Sequence, residues 1–286
     1  MLEKAQLNQT DLPLLMLIFG PDGCGKSTFG IDAPNPIVIG KEQGIPRGRR
    51  VMCVNPETVD GIFETINDLK TQKHDYKTLV LDSLDWIEPL LWKEVCKKNS
   101  WESVESPGYG KGYTLAMDIW RKMIDALTEL RTTRGMNIIA IAHCQIKPFN
   151  DPNHALPYDR YTIKLNEKAA ALWREYVDLV GFANFEVYTK AADGKKAKAF
   201  DDGERVLHTV RTAAFDAKNR LGLPPKIKLG FKEFEEALNA GADPKAEIEV
   251  LLKNIDPEVR TKVEAALAKP KADYQKILTK LREIAA

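Results

Sequence analysis

Gly20-Pro21-Asp22-Gly23-Cys24-Gly25-Lys26-Ser27-Thr28 follows directly on the apolar run Leu14-Leu15-Met16-Leu17-Ile18-Phe19. The pattern is G-x-x-x-x-G-K-S, and its residue types fit one task. Glycines let the backbone curl until successive N–H groups point inward at a polyphosphate. Lys26 then reaches the β- and γ-phosphates, and the Ser27 hydroxyl supplies a ligand to Mg²⁺. A buried strand precedes the loop, and a helix beginning over Ser27 to Ile31 follows it, with its N-terminus aimed at the anion. The stretch predicts a nucleoside triphosphate site with Gly20 to Thr28 as its cradle.

The rest of the chain sets bounds on that site. With 286 residues, 44% of them apolar and 29% charged, it can bury one large α/β core and a small appendage. Forty-two Lys and Arg against 41 Asp and Glu leave a formal charge of +1, so any nucleic-acid surface has to be a local patch. Cys24, Cys53, Cys96 and Cys144 show no C-x-x-C spacing, which argues against a zinc site or a disulfide framework. Neither a charged-then-apolar leader at Met1 to Asp11 nor a membrane-length apolar run is evident, so the expectation is a cytoplasmic protein with no membrane partner.

Strand and helix alternate outward from the loop. Pro36 to Gly40 reads as a short buried strand, Glu57 to Thr71 as an amphipathic helix, Thr78 to Asp82 as a strand ending in a carboxylate, and Leu84 to Lys98 as a helix. Ser100 to Gly112 breaks the pattern with Pro107 and three glycines in five residues. A long helix over Tyr113 to Arg131 and a buried strand over Asn137 to Ala142 follow. Such βα units predict a mainly parallel, twisted sheet flanked by helices on both faces, an α/β fold of the P-loop NTPase type. Lys147 to Lys164 loses all periodicity and reads as a long loop. Asn166 to Leu179 reads as helix, and strands near Gly181 to Thr189 and Arg205 to Thr212 flank a Gly/Lys-rich turn as an antiparallel edge hairpin. A short helix over 231 to 240 closes a core spanning residues 1–242, and residues 243–286 read as a separate helical C-terminal tail.

Several residues are candidates for the chemistry. Asp82, at the carboxyl end of its strand, is placed to hold Mg²⁺ with Ser27; the plainer reading is a turn or helix cap. Glu42, just past the strand that ends at Gly40, is the candidate to activate water, with a solvated surface glutamate as its equal alternative, and Asp85 and Glu88 are weaker competitors. The strand after Asn137 runs into His143-Cys144-Gln145; Gln145 suits a γ-phosphate sensor, while His143 better suits a core or capping role. Lys218 and Arg220 suit a cationic finger reaching a neighbouring copy's site, or else a solvated basic turn. Lys147, Phe149, His154, Tyr158, Arg160, Tyr161 and Lys164 interleave cations with flat rings, a composition that suits single-stranded DNA, with a pocket lid as the alternative.

These residues also carry a family resemblance. The loop G-P-D-G-C-G-K-S-T, K-T-L-V-L-D-S-L-D-W at Lys77 to Trp86, G-Y-G-K-G-Y at Gly108 to Tyr113, A-H-C-Q-I-K at Ala142 to Lys147 and A-F-D-A-K-N-R-L-G-L-P at Ala214 to Pro224 together resemble the RecA-like P-loop ATPases of bacteriophages. Those are single-strand-annealing recombinase cores, also called phage ATP-binding proteins, akin to RadA- and DnaB-type folds. The resemblance covers about residues 13 to 230. It implies an ATPase that hydrolyses ATP with Mg²⁺ between copies of itself in a ring or filament. Single-stranded DNA is its implied partner, and a single-strand-binding protein a further candidate. By the same resemblance Glu42 matches the water-activating glutamate and Gln145 the strand-end glutamine that links nucleotide state to the DNA loop. Lys218 and Arg220 match the K-N-R-x-G finger, and Ile146 to Lys164 takes the place of the second DNA loop. Where many relatives carry an acidic residue before the glutamate, this chain has Lys41. A P-loop kinase or nucleotide switch that does not act on DNA is the alternative.

Overall fold

Why β1 (Leu15–Gly20) is apolar at nearly every position is explained by its place in the sheet. The structure is a computed structural model that describes residues 12–40, 45, 47–152, 156–190, 198–242, 248, 251–252, 257–267, 274, 277–278 and 280–281. After β1 come α1 (Lys26–Ile31), β2 (Pro36–Gly40), β3 (Met52–Val54), α2 (Val59–Thr71), β4 (Thr78–Asp82), α3 (Leu84–Asn99), α4 (Lys111–Arg134) and β5 (Asn137–Phe149). They are followed by β6 (Tyr158–Ile163), α5 (Glu167–Tyr176), β7 (Leu179–Lys190), β8 (Lys198–His208), β9 (Lys218–Asn219), β10 (Lys226–Lys228), α6 (Phe231–Ala242) and α7 (Pro257–Leu267). The main sheet runs β10-β8-β7-β1-β5-β4-β2-β3, with β6 attached to β5 and β9 to β7.

From β3 to β7 every pairing along that order is parallel, and β8 and β10 add an antiparallel edge. This is the mostly parallel, helix-flanked α/β sheet of a P-loop NTPase. Both faces are covered, as parallel sheets require. Alternate residues of β1 enter different cores: Leu15, Leu17 and Phe19 pack under α2, α3, α4 and α5, where Trp120 meets Trp173 edge to face at 5.7 Å. Met16 and Ile18 face the opposite layer, where Phe29 of α1 packs against Phe231 and Phe234.

Register then gathers the carboxyl ends of the strands. Gly20 lies beside His143 and Gly40 beside Asp82, so the phosphate loop and the acidic strand end share one edge. Gly40 is obligatory there, because a Cβ would stand 2.1 Å from the Asp82 carbonyl oxygen.

The main departure from the sequence reading lies at Lys147 to Lys164. Instead of a loop, β5 continues to Phe149 and pairs antiparallel with β6, from Cys144 opposite Ile163 to Phe149 opposite Tyr158. Apolar periodicity fails because much of this ribbon stands clear of the sheet: Ile146 is 60% exposed. Its root is polar and closed. Arg160 is 4% exposed and donates to the carbonyls of Phe215 (3.0 Å) and Thr212 (3.3 Å) and to Asp216 Oδ1 (2.9 Å). The hairpin strand expected over Arg205 to Thr212 starts earlier, at Lys198, and ends at His208. Of the tail, α7 is described, and Ile248, Leu252, Leu278 and Leu281 form a cluster of their own. Most of the expected Gly/Lys-rich turn lies outside the described residues. Among the described residues no helix is long and apolar enough to cross a membrane.

Replacing Arg160 by Met strands two carbonyls and a half-buried carboxylate. The expected loss is about 2 to 3 kcal/mol, reduced from the cost of a fully buried pair because Asp216 keeps Arg174. A urea melt should show it as a lowered midpoint with unchanged slope.

Candidate active site

The loop after β1 curls as its glycines allow, with Gly23 at φ 73° and Gly25 at φ 106°, in the left-handed region that side chains disfavour. Lys26 is 5% exposed inside the curl. Its Nζ donates to the carbonyls of Pro21 (2.7 Å) and Gly20 (3.0 Å), which fixes the ammonium at the loop's inner wall. The Ser27 hydroxyl faces Asp82 across the cleft. Burial pushes the Asp82 carboxyl up, with Ser27, His143 and Lys26 pulling the other way.

A cleft of about 350 Å³ opens between these groups, lined by Asp22, Gly25, Lys26, Ser27, Asp82 and His143, with Thr28 and Arg205 at its margin. Its donor set fits a magnesium nucleotide. A hydroxyl and a desolvated carboxylate stand together where a divalent cation is wanted, beside a fixed ammonium and a nest of backbone amides.

His143 is the residue that stands at the centre. Its Nδ1 lies 2.8 Å from Asp85 Oδ2, its backbone N–H donates to Asp85 Oδ1 at 3.0 Å, and its Nε2 lies 3.2 Å from Asp22 Oδ1 on the phosphate loop. Burial alone would raise the Asp85 carboxyl, but the bonds from the His143 ring and backbone outweigh it and hold Asp85 at about 2. One turn on, Glu88 is 4% exposed and burial pushes it up to about 7. Both of its oxygens accept from the backbone N–H of Asn166 at 3.0 Å, capping the start of α5. The Trp120 indole lies beside the same carboxyl without hydrogen-bond geometry.

The other expected residues are scattered by the fold. Gln145 does not line the phosphate cleft; its side chain donates to the Ile163 carbonyl at 3.3 Å and so ties β5 to β6. Lys218 donates to the carbonyls of Arg174 (2.6 Å) and Glu175 (2.8 Å), capping the end of α5, and desolvation lowers its ammonium. Arg220 is exposed; its backbone N–H bonds Asp178, next to the amino end of β7, at the sheet edge away from the phosphate loop. Glu42 lies outside the described residues, as does His154. On the ribbon, Lys147 and Lys164 reach the surface, and Phe149 packs edge to face on Tyr158 at 5.7 Å. Arg160 and Tyr161 do not join that surface: Arg160 is buried at the root, and Tyr161 packs on Phe182 with 5.1 Å between ring centres.

Of the cleft residues, Arg205 escapes sequence reasoning, and His143 reads there as a core or capping residue. Arg205 on β8 comes within reach because β8 pairs with β7 and β7 with β1; a Cβ on Gly25 would stand 3.3 Å from its Nη1. No local signal marks it. His143 carried a signal, its strand-end position, but its partners come from two distant segments.

In comparison with known families, a model described as AAA domain fits residues 12–221. The chain belongs to this family of P-loop ATPases. No curated protein matches it.

Opposed shifts at Asp85 and Glu88 give stability a readable pH dependence. Glu88 is raised from 4.5 to about 7, so its contribution is fully present below pH 4.5 and is lost as pH rises through 7. Asp85 is lowered from 3.8 to about 2, so its contribution is present above 3.8 and is lost as pH falls through 2. Melting temperatures of Glu88→Gln should lack the wild-type decline between pH 4.5 and 7, and those of Asp85→Asn should lack the acid limb.

Proposed function

We propose that this member of the AAA-domain family is an ATP hydrolase that binds single-stranded DNA and acts in recombination, annealing or pairing strands. The observation that carries the reading is the course of β5. It runs unbroken from His143, at the mouth of the phosphate cleft, to Phe149 at the far end of a ribbon that presents Lys147 and, beside it, Lys164. Nucleotide and strand would therefore act on the two ends of one rigid element. The resemblance to phage RecA-like ATPases supports the same reading.

In this mechanism Lys26 and the loop amides bind the β- and γ-phosphates, and Arg205 adds a cation at the cleft margin. Ser27 and Asp82 would hold a magnesium ion, which would supply positive charge to the phosphate oxygens. Glu42 is the proposed water-activating base; support comes from its place two residues past Gly40, which pairs in register with Asp82. Gln145 passes strain between β5 and β6 through its bond to Ile163. Arg220, exposed at the opposite end of β7, serves a neighbouring copy's nucleotide in a ring or filament, with Lys218 anchoring the segment that presents it. DNA phosphates meet Lys147 and Lys164, with Phe149 and Tyr158 beside them.

ATP turnover with and without single-stranded DNA tests the reading. Wild type should be stimulated by DNA, and Lys26→Ala should neither bind nor hydrolyse ATP. Arg220→Ala should lose about 10³-fold in turnover and regain part of it when mixed with Lys26→Ala, which supplies an intact finger in trans. A rate indifferent to DNA, with no DNA affinity at moderate salt, rejects the role.

A further inference from the structure

Asp85, Glu88 and Trp92 follow one another on α3 at spacings of three and four, which puts them on one face of the helix. That face forms the floor of a second cleft, of about 390 Å³, beside the phosphate site. Tyr113 near the start of α4 forms one side, and Lys147 and Lys164 at the ribbon's root form the other. Trp92 and Tyr113 meet edge to face, 5.4 Å between ring centres.

We propose that this cleft seats one unpaired nucleotide of a DNA strand, its base against Trp92 and Tyr113 and its phosphate on Lys147 and Lys164. The inference rests on the single-strand reading above and says where that strand is gripped. Rings paired with cations, inside a volume typical of a small-ligand site, match what a splayed nucleotide offers: a flat apolar face and an anion. A duplex keeps its bases stacked inward and has none to insert.

The cations are available. Among the described residues Lys164 makes no ion pair, and Lys147 has only Glu167, 3.7 Å away and 87% exposed, a solvent-screened contact. An acid has a part as well. Asp85 lines the cleft and holds His143, whose other nitrogen faces the phosphate loop. An occupant of this cleft thus touches a residue bonded to the nucleotide site, which gives DNA a route for stimulating turnover.

The test compares, by fluorescence anisotropy on the full chain, a labelled oligothymidylate with an abasic oligomer of equal length and charge. Wild type should bind the abasic strand about tenfold more weakly. Trp92→Leu should lose that preference, and Trp92→Phe should keep part of it. Photo-crosslinking of wild type to a strand carrying 5-iodouracil should mark Trp92 or Tyr113, a readout that does not depend on any variant folding. Equal affinity of wild type for both strands, a full preference surviving in Trp92→Leu, or crosslinks confined to Phe149 and Tyr158 would each overturn the cleft assignment while leaving single-strand binding intact. Failure of wild type to bind either strand would remove the single-strand reading itself, and this inference with it.

Discussion

Parallel pairing of β5 between β1 and β4 is the constraint from which the site follows. It sets His143 beside Gly20 on one side and Ile141 beside Asp82 on the other, so that loop, histidine and carboxylate meet at one edge. A slip of one residue would turn Ile139 and Ile141 out of their layer and exchange them with Ile138 and Ala140, emptying one core to overfill the other. Packing of both faces therefore fixes the chemistry's geometry. Gly40 adds to this from the next strand, where only a missing side chain lets β2 close on Asp82.

Electrostatics around that edge are set by partners more than by depth. Asp82, Asp85 and Glu88 lie within seven residues and all lose solvent, yet only Asp85 is driven down, because His143 gives it two hydrogen bonds. Asp82 has a hydroxyl beside it and remains raised, a carboxylate whose charged form awaits a cation. Glu88, facing backbone N–H of α5, is raised furthest toward neutrality. Depth alone would have pushed all three the same way.

What could be read from sequence divides along the same line. The phosphate loop, Asp82 and the alternation that gives the sheet are local patterns, each contained in a few consecutive residues whose spacing has one physical use. Arg160 shows the limit. Beside Phe149 and Tyr161 it looks like a cation for DNA, and only the return of the chain at Thr212 to Asp216 supplies the carbonyls and carboxylate that bury it. Arg205 and the Asp22–His143–Asp85 chain are invisible for the same reason, since their meaning arises from pairings between strands that the local sequence does not connect, β1 with β5 and β7, and β4 with β5. The ribbon itself was hidden because a strand pair that leaves the sheet has no buried face to impose a period of two.

That buried root bears on how the ribbon would work. A loop tethered only at its ends would absorb any force on Lys147 by rearranging, and nothing would reach the phosphate cleft. Here β6 is pinned by Arg160 to the segment that precedes Lys218 and Arg220, and β5 is continuous with the strand beside the phosphate loop. Tyr161 extends the connection by packing on Phe182 of β7, whose own neighbour is β1. A force on the ribbon would therefore load two elements at once: His143 at the phosphate cleft, and the segment that leads to Lys218 and Arg220. Coupling of this kind needs no large motion. It needs a stiff lever with its fulcrum inside the core, and the closed, charge-satisfied seat of Arg160 supplies that fulcrum.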